Sequence, residues 1–281
     1  MPKPSDVYEK RLLRVLEYIH DNPAGDLSLD TLAEVAAMSR FHWHRVFSGM
    51  MGKTVAQVTR EIRMHRAACW LVQKPWPVAE VAKRVGYPNV GSFTRVFGEE
   101  YGLSPVAFRN RGDLTGALPK PQSGDFPMYP VDIETHENRP LAALEHRGSY
   151  LEIGEQFQKA GTIFTTRDLW AGARGMVGLY HDDPNAVAEP DLRSHAGIVL
   201  SEGADVPDGM HAMVAEGGRF AVLHFTGPYA GLKAAYDYLY GQYIPEKGLE
   251  LRDAPAMEIY LNGPQDTAPD DLKTEVCAPI M

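Results

Sequence analysis

Val78-Ala-Glu-Val-Ala-Lys-Arg-Val-Gly-Tyr-Pro-Asn-Val-Gly-Ser-Phe-Thr-Arg-Val-Phe-Gly-Glu-Glu-Tyr-Gly-Leu-Ser-Pro-Val-Ala-Phe-Arg109 is the stretch on which the fold of the first half turns. Apolar residues recur at helical spacing on either side of Gly86-Tyr-Pro-Asn89, a turn signal. The pattern also occurs earlier in the chain. Leu32-Ala-Glu-Val-Ala36 matches Val78-Ala-Glu-Val-Ala82, Arg45-Val-Phe47 matches Arg95-Val-Phe97, and Gly52-Lys-Thr54 matches Gly102-Leu-Ser104. The offset grows from 46 to 50, which places four inserted residues in the turn of the second copy. Each copy therefore reads as a short helix, a turn and a second helix.

Ser28 and Ser39 are placed to cap helices, and Leu29, Leu32, Ala33 and Ala36 form a buried stripe. A long helix, about Val55 to Gln73, separates the two units, and a leading helix, about Asp6 to Asp21, completes a seven-helix, all-α domain ending near Arg111. A helix-turn-helix puts its second helix in the major groove of double-stranded DNA, and two units roughly 34 Å apart can read successive grooves. The candidate readers are Arg40, Phe41, His44 and Arg45 in the first unit, with Arg45 suited to a guanine edge. In the second unit they are Asn89, Val90, Gly91, Ser92 and Arg95, a set poor in long polar side chains that is expected to touch mainly backbone. Trp43, Phe47, Phe93 and Phe97 belong to the core rather than to base stacking. Arg60, Arg63 and Arg66 line one side of the long helix, either against phosphate or as a solvated face. His42, His44 and His65 lack the fixed-spacing Cys/His set of a metal site, and no metal is expected.

The Val78–Arg109 run resembles the AraC/XylS signature over its full length. The features that carry the likeness are Gly86-Tyr87, Phe93, Phe97, Gly102, Ser104-Pro105 and Arg109, and it extends over about residues 5–111. The resemblance implies a transcription regulator that binds promoter DNA through two helix-turn-helix motifs. Val90 and Gly91 depart from the pattern, where relatives often carry polar base readers.

Charge divides the 281-residue chain in the same way. The overall formal net charge is −9, yet residues 1–112 carry 16 lysines and arginines against 11 acidic residues, a net of +5. Residues 113–281 carry 12 against 26, a net of −14. That asymmetry points to one part that binds a polyanion and another that does not. Between them, 113–128 is rich in Gly and Pro and reads as a linker, giving domains at 1–112 and 129–281. Cys69 and Cys277 are too few for a disulfide framework or a cysteine zinc site. Without an apolar signal core or a long apolar run, a cytoplasmic protein with no membrane partner is expected.

The acidic half repeats at 79 to 80 residues. Ala143-Leu-Glu-His-Arg-Gly148-Ser-Tyr150 aligns with Val222-Leu-His-Phe-Thr-Gly227-Pro-Tyr229, Gly178-Leu-Tyr180 with Glu258-Ile-Tyr260, and Asp191-Leu-Arg-Ser194 with Asp271-Leu-Lys-Thr274. Each copy reads as strand, helix, strand, strand, so an α+β domain with pseudo-two-fold symmetry is expected, with a ligand cleft between its halves. Gly178 becomes Glu258, a break in the repeat. On a strand, Glu258 and Tyr260 share one face, and a carboxylate beside an apolar layer calls for a partner. A cationic ligand is one such partner, with Tyr150, Tyr229, Trp170 and Phe225 offering aromatic faces. Solvent or a nearby arginine is the alternative. Glu275, aligned with His195, is a second carboxylate, and Asp182-Asp183 before Pro184 reads as a turn.

Gly148-x-Tyr150, Leu179-Tyr-His-Asp-Asp-Pro184, Gly227-x-Tyr229, Met257-Glu-Ile-Tyr260 and Asp271-Leu-Lys-Thr-Glu-Val-Cys-Ala-Pro279 together resemble the GyrI-like effector domain over about 129–281. The resemblance implies binding of hydrophobic, often cationic, small molecules, with the family's acidic residue falling at Glu258. Some members look like hydrolases of electrophilic compounds, in which case Glu258 would be catalytic and would orient or deprotonate water. The acidic balance also suits a protein-interaction module, towards RNA polymerase or another macromolecule. No phosphate-binding glycine loop, nucleophile elbow or zincin motif occurs, and no cofactor is expected.

Overall fold

The computed structural model describes residues 4–112, 128–264 and 266–281; apart from Met128, the expected linker 113–128 lies outside them. The chain forms two compact units. One holds Tyr8–Met38 and the chain from Met51 to Gly112; the other holds Ser39–Met50 together with 128–281.

The N-terminal region carries seven helices among the described residues: α1 (Pro4–Asp21), α2 (Leu29–Ala36), α3 (Trp43–Met51), α4 (Val55–Gln73), α5 (Val78–Arg84), α6 (Val90–Tyr101) and α7 (Pro105–Arg111). Their ends follow from local chemistry. Ser28, Thr54, Asn89 and Ser104 accept backbone N–H groups at the starts of α2, α4, α6 and α7, and Gln57 returns a bond to Thr54 in a capping box. Gly102 adopts φ 67° to end α6. Ser39 behaves differently from expectation: its hydroxyl accepts from the Phe41 N–H at 3.3 Å, closing a turn, and α3 begins only at Trp43.

Met64, Ala67, Leu71, Val81, Phe93, Phe97 and Phe108 form the core of the unit that holds α4–α7. Arg109 locks its last helix by donating to the carbonyls of Leu71 at 2.9 Å and Trp76 at 2.5 Å. Of the three arginines on α4, Arg63 donates to the Pro23 carbonyl at 2.7 Å and lies against Gly86, whose φ of +81° and missing Cβ admit the guanidinium. Arg60 pairs with Glu99 and Arg66 with the His20 carbonyl, so all three have protein partners.

In the other unit, residues 131–280 form one eight-stranded antiparallel sheet: β1 (Val131–His136), β2 (Arg139–Arg147), β3 (Ala173–Tyr180), β4 (Arg193–Leu200), β5 (His211–Ala215), β6 (Gly218–Thr226), β7 (Ala256–Tyr260) and β8 (Lys273–Ile280). The spatial order β1-β6-β8-β7-β3-β4-β2-β5 is symmetric about the β7–β3 pair. Each repeat has the expected strand, helix, strand, strand core and also a leading strand, β1 or β5, that pairs with the other repeat. β1 and β2 are joined by only Glu137 and Asn138 yet lie far apart in the strand order, so the sheet curls. The two connectors meet, with the Gly217 N–H donating to Asn138 Oδ1 at 2.7 Å and no room for a Cβ at Gly217 against the His136–Asn138 backbone. Leu141, Val177, Leu179, Phe220, Val222, Met257 and Cys277 cluster on one face. On the other, α8 (Gly154–Thr166) packs Ala160 and Phe164 on Ala142, Leu144 and Ile198. In the second repeat α9 (Leu232–Tyr238) continues through a π-helical turn, Leu239–Tyr243, into α10 (Ile244–Lys247).

Candidate functional site

A cavity of about 810 Å³ lies where the two repeats meet, walled by Tyr150, Phe157, Tyr229 and Tyr236 and floored by Tyr180, Glu258 and Tyr260. Gly178 on β3 is paired directly opposite Glu258 on β7, so the position where the repeat breaks is also its own cross-strand neighbour. A Cβ at Gly178 would lie 2.8 Å from the Tyr180 ring and 3.0 Å from the Tyr260 hydroxyl. The axis thus has space for one carboxylate and two tyrosines, and glycine provides it.

Glu258 is 4% exposed. Its Oε2 accepts from the Tyr260 hydroxyl at 2.8 Å, as strand alternation requires, and its Oε1 accepts from Tyr236 on α9 at 3.0 Å. The Tyr180 and Tyr260 hydroxyls, repeat equivalents of one another, are 2.6 Å apart. Burial pushes the carboxyl above its ordinary range, opposed by the hydroxyls of Tyr260, Tyr236 and Tyr180 and by the Arg45 guanidinium. Burial, then the Glu258 charge, drives these three phenols well above their usual value, which keeps them protonated as donors.

Arg45, in α3, also lines the cavity. Its guanidinium carbon is 4.8 Å from the Tyr236 ring centroid and 5.3 Å from that of Tyr240, and Nη2 donates to the Asp182 carbonyl at 3.0 Å. Asp183 holds the N–H of Asn185 at 2.8 Å, the turn expected before Pro184, and Asp182 accepts a two-pronged contact from Arg193.

Of the ligand residues read from sequence, Tyr150, Tyr229, Glu258 and Tyr260 meet in the cavity. Trp170 and Phe225 lie outside its lining. The Trp170 indole donates to Thr165 at 2.9 Å and packs on Phe164, while Phe225 is buried against Tyr129 and the Gly227–Gly231 turn. Glu275 pairs across strands with His224 and Ile259, on the face opposite Glu258. Tyr180 was legible as the repeat partner of Tyr260; Tyr236 carried no signal beyond its helix.

The DNA-reader residues divide. Asn89, Ser92 and Arg95 are exposed on α6, where Asn89 caps the helix through the Ser92 N–H at 3.0 Å and Arg95 pairs with Glu99 at 2.6 Å. Arg40 is exposed beside the Phe41 ring, which is half-buried. His44 and Arg45 are buried within the same unit as the cavity.

A double helix-turn-helix region joined to a sheet domain with a ligand-sized cavity defines the class: a ligand-responsive transcription regulator that binds DNA. Residues 129–281 match the GyrI-like small molecule binding domain, and the chain belongs to that family; residues 32–111 match a helix-turn-helix domain of AraC type. The chain is 24% identical to the right origin-binding protein of Escherichia coli K12 over 96% of each chain, and equally to the transcriptional regulator Rob of Salmonella typhimurium. It is also similar to the EcmrR–DNA complex structure, at 16% identity and a TM-score of 0.46, covering 54% of this chain and 57% of that one. Among the described residues no helix is long and apolar enough to cross a membrane.

Proposed function

We propose that the cavity receives a hydrophobic cation with Glu258 as its counter-ion, and that occupancy alters how the N-terminal region holds promoter DNA. The observation that carries this reading is a buried carboxylate at the floor of a tyrosine-walled cavity. An ionised carboxylate there needs compensating charge, and tyrosine faces attract cations, most strongly where water is excluded. In this proposal residues 1–112 form the DNA-binding domain, with Arg40, Phe41, Asn89, Ser92 and Arg95 as its reading surface, His44 and Arg45 joining it only when they leave their buried position, and 129–281 form the sensor. The site of action is the cytoplasm, and the acidic sensor half is the surface offered to RNA polymerase.

The test is calorimetric titration of the full chain with tetraphenylphosphonium, a lipophilic cation, followed by mass spectrometry of the free compound. Glu258→Gln is expected to weaken binding at least tenfold, about 1.4 kcal/mol. Equal affinity in the two proteins refutes the counter-ion. A compound recovered unchanged supports a sensor. For strained electrophiles offered in parallel, a water adduct that disappears in Glu258→Gln assigns the hydrolase chemistry instead, with Glu258 as its base.

A further inference from the structure

We infer that Arg45 is an internal stand-in for the ligand's positive charge, so that α3 and a hydrophobic cation compete for one site of tyrosine faces and carboxylate. The inference rests on the pocket reading above and adds a mechanism by which the cavity controls a DNA-reading helix.

The guanidinium already has what a bound cation needs. It lies over Tyr236 and Tyr240, lines the cavity that Glu258 floors, and shares Tyr236 with Glu258, since that hydroxyl donates to the carboxylate. A cation entering against Glu258 and the Tyr236 face meets the Arg45 charge at close range, and like charges there oppose each other.

The segment Ser39–Met50, which leads into and holds most of α3, is fixed in the same unit by a few polar anchors and one very close approach. Ser39 donates to Asp253 at 2.8 Å, and His42 Nε2 is 2.7 Å from the Ala254 carbonyl. At Gly49 the helix touches the backbone of Gly241, in the π-helical turn after Tyr236, so closely that a Cβ on either glycine would overlap the other. π-Helical turns inside α-helices are frequent at functional sites, and this one carries both Tyr240 and Gly241.

The docking also leaves polar atoms unserved. Among the described residues eleven buried side-chain nitrogen or oxygen atoms have no hydrogen-bond partner, and five are in this segment: His42 Nδ1, Trp43 Nε1, His44 Nε2, Arg45 Nη1 and Ser48 Oγ. A buried donor or acceptor left unpaired costs free energy that water or a phosphate would return. Opening the segment would let water or phosphate serve these atoms, and the histidine, arginine and serine side chains among them are of the types that DNA backbones and base edges accept. Because coupling between two sites is reciprocal, a cation that displaces Arg45 releases α3, and DNA that takes α3 improves the cavity for the cation.

The experiment uses the full chain and tetraphenylphosphonium. Arg45→Met, which keeps the aliphatic stem, is expected to bind the cation at least tenfold more tightly than the parent. Gly49→Ala keeps every α3 side chain but overlaps Gly241, and is expected to tighten binding in the same direction. In the parent, saturating cation is expected to speed amide exchange of Trp43–Met51. If Glu258→Gln loses binding while Arg45→Met and Gly49→Ala bind like the parent and α3 exchange does not change, the competition is refuted and the pocket reading stands. If neither the parent nor any variant binds, both fall.

Discussion

α3 and α6 are the second helices of two copies of one motif, yet they are in opposite states. α6 buries a single stripe, Phe93, Val96 and Phe97, and leaves Asn89, Val90, Ser92 and Arg95 in solvent. α3 buries Trp43, Val46 and Phe47 and also His44 and Arg45, so polar residues on its other side are enclosed as well. The repeat shared by the two sequences specifies a helix with one apolar face. It does not specify what happens to the second face, and that decides whether the polar side chains there meet solvent.

Three changes test the contrast, in order of expected size. Phe97→Ala removes a fully buried ring packed against Phe93, Tyr101 and Phe108, and should cost about 3–5 kcal/mol in the unit that holds α6. Chemical denaturation followed by circular dichroism should show an early transition, while tetraphenylphosphonium binding by the other unit survives.

Acidification should separate the helices next. Burial and the neighbouring Arg45 push His42 and His44 down to about 3, with Arg252 lowering His42 further and its bond to the Ala254 carbonyl opposing the shift. Depressed values mean that docked α3 excludes the charged imidazoles. The docked helix is therefore favoured fully above the ordinary histidine value and loses that advantage as pH falls from about 6.5 towards 3. At pH 5.5 the loss is about tenfold per histidine. Amide exchange of Trp43–Met51, taken relative to Val90–Tyr101, should rise accordingly, because α6 contains no histidine. A constant ratio across pH 7.5 to 5.5 would contradict the burial of these imidazoles.

The smallest effect concerns the caps. Asn89→Ala deletes the bond to the Ser92 N–H and should lower stability by about 1 kcal/mol. If Asn89 also reads DNA, affinity for duplex should fall beyond what that destabilisation explains, measured at a temperature where the variant is fully folded.

Much of this was legible. The helix-turn-helix repeat, the duplication of the second half and the break at Glu258 all come from residue spacing, because period and repeat register are local properties. Tyr150, Tyr229 and Tyr260 follow from the same alignment. The misses are non-local. Trp170 and Phe225 have the right chemistry, but the turn after α8 directs Trp170 to Phe164, and Phe225, still within β6, packs against Tyr129. β1 alternates the β-branched residues Val131, Ile133 and Thr135 with Asp132, Glu134 and His136, but its partner β6 begins some eighty residues later, so no local hairpin signal marks it. Arg45 fits a guanine edge by type, and nothing in its own helix reports the tyrosine faces of Tyr236 and Tyr240.

The crossed outer strands have an evolutionary reading. With β1 pairing to β6 and β5 to β2, each repeat donates its first strand to the other. A strand-swapped homodimer would have this same topology if its two copies were joined in one chain. A single repeat, expressed alone, would keep its helix and central strands but leave two edges without a partner, and its most economical solution is to find a second copy. In such a symmetric ancestor the axis would carry the same residue twice. Two facing glutamates would repel each other and two facing glycines would hold no charge, so only a chain whose two repeats differ can set Gly178 against Glu258 across this axis.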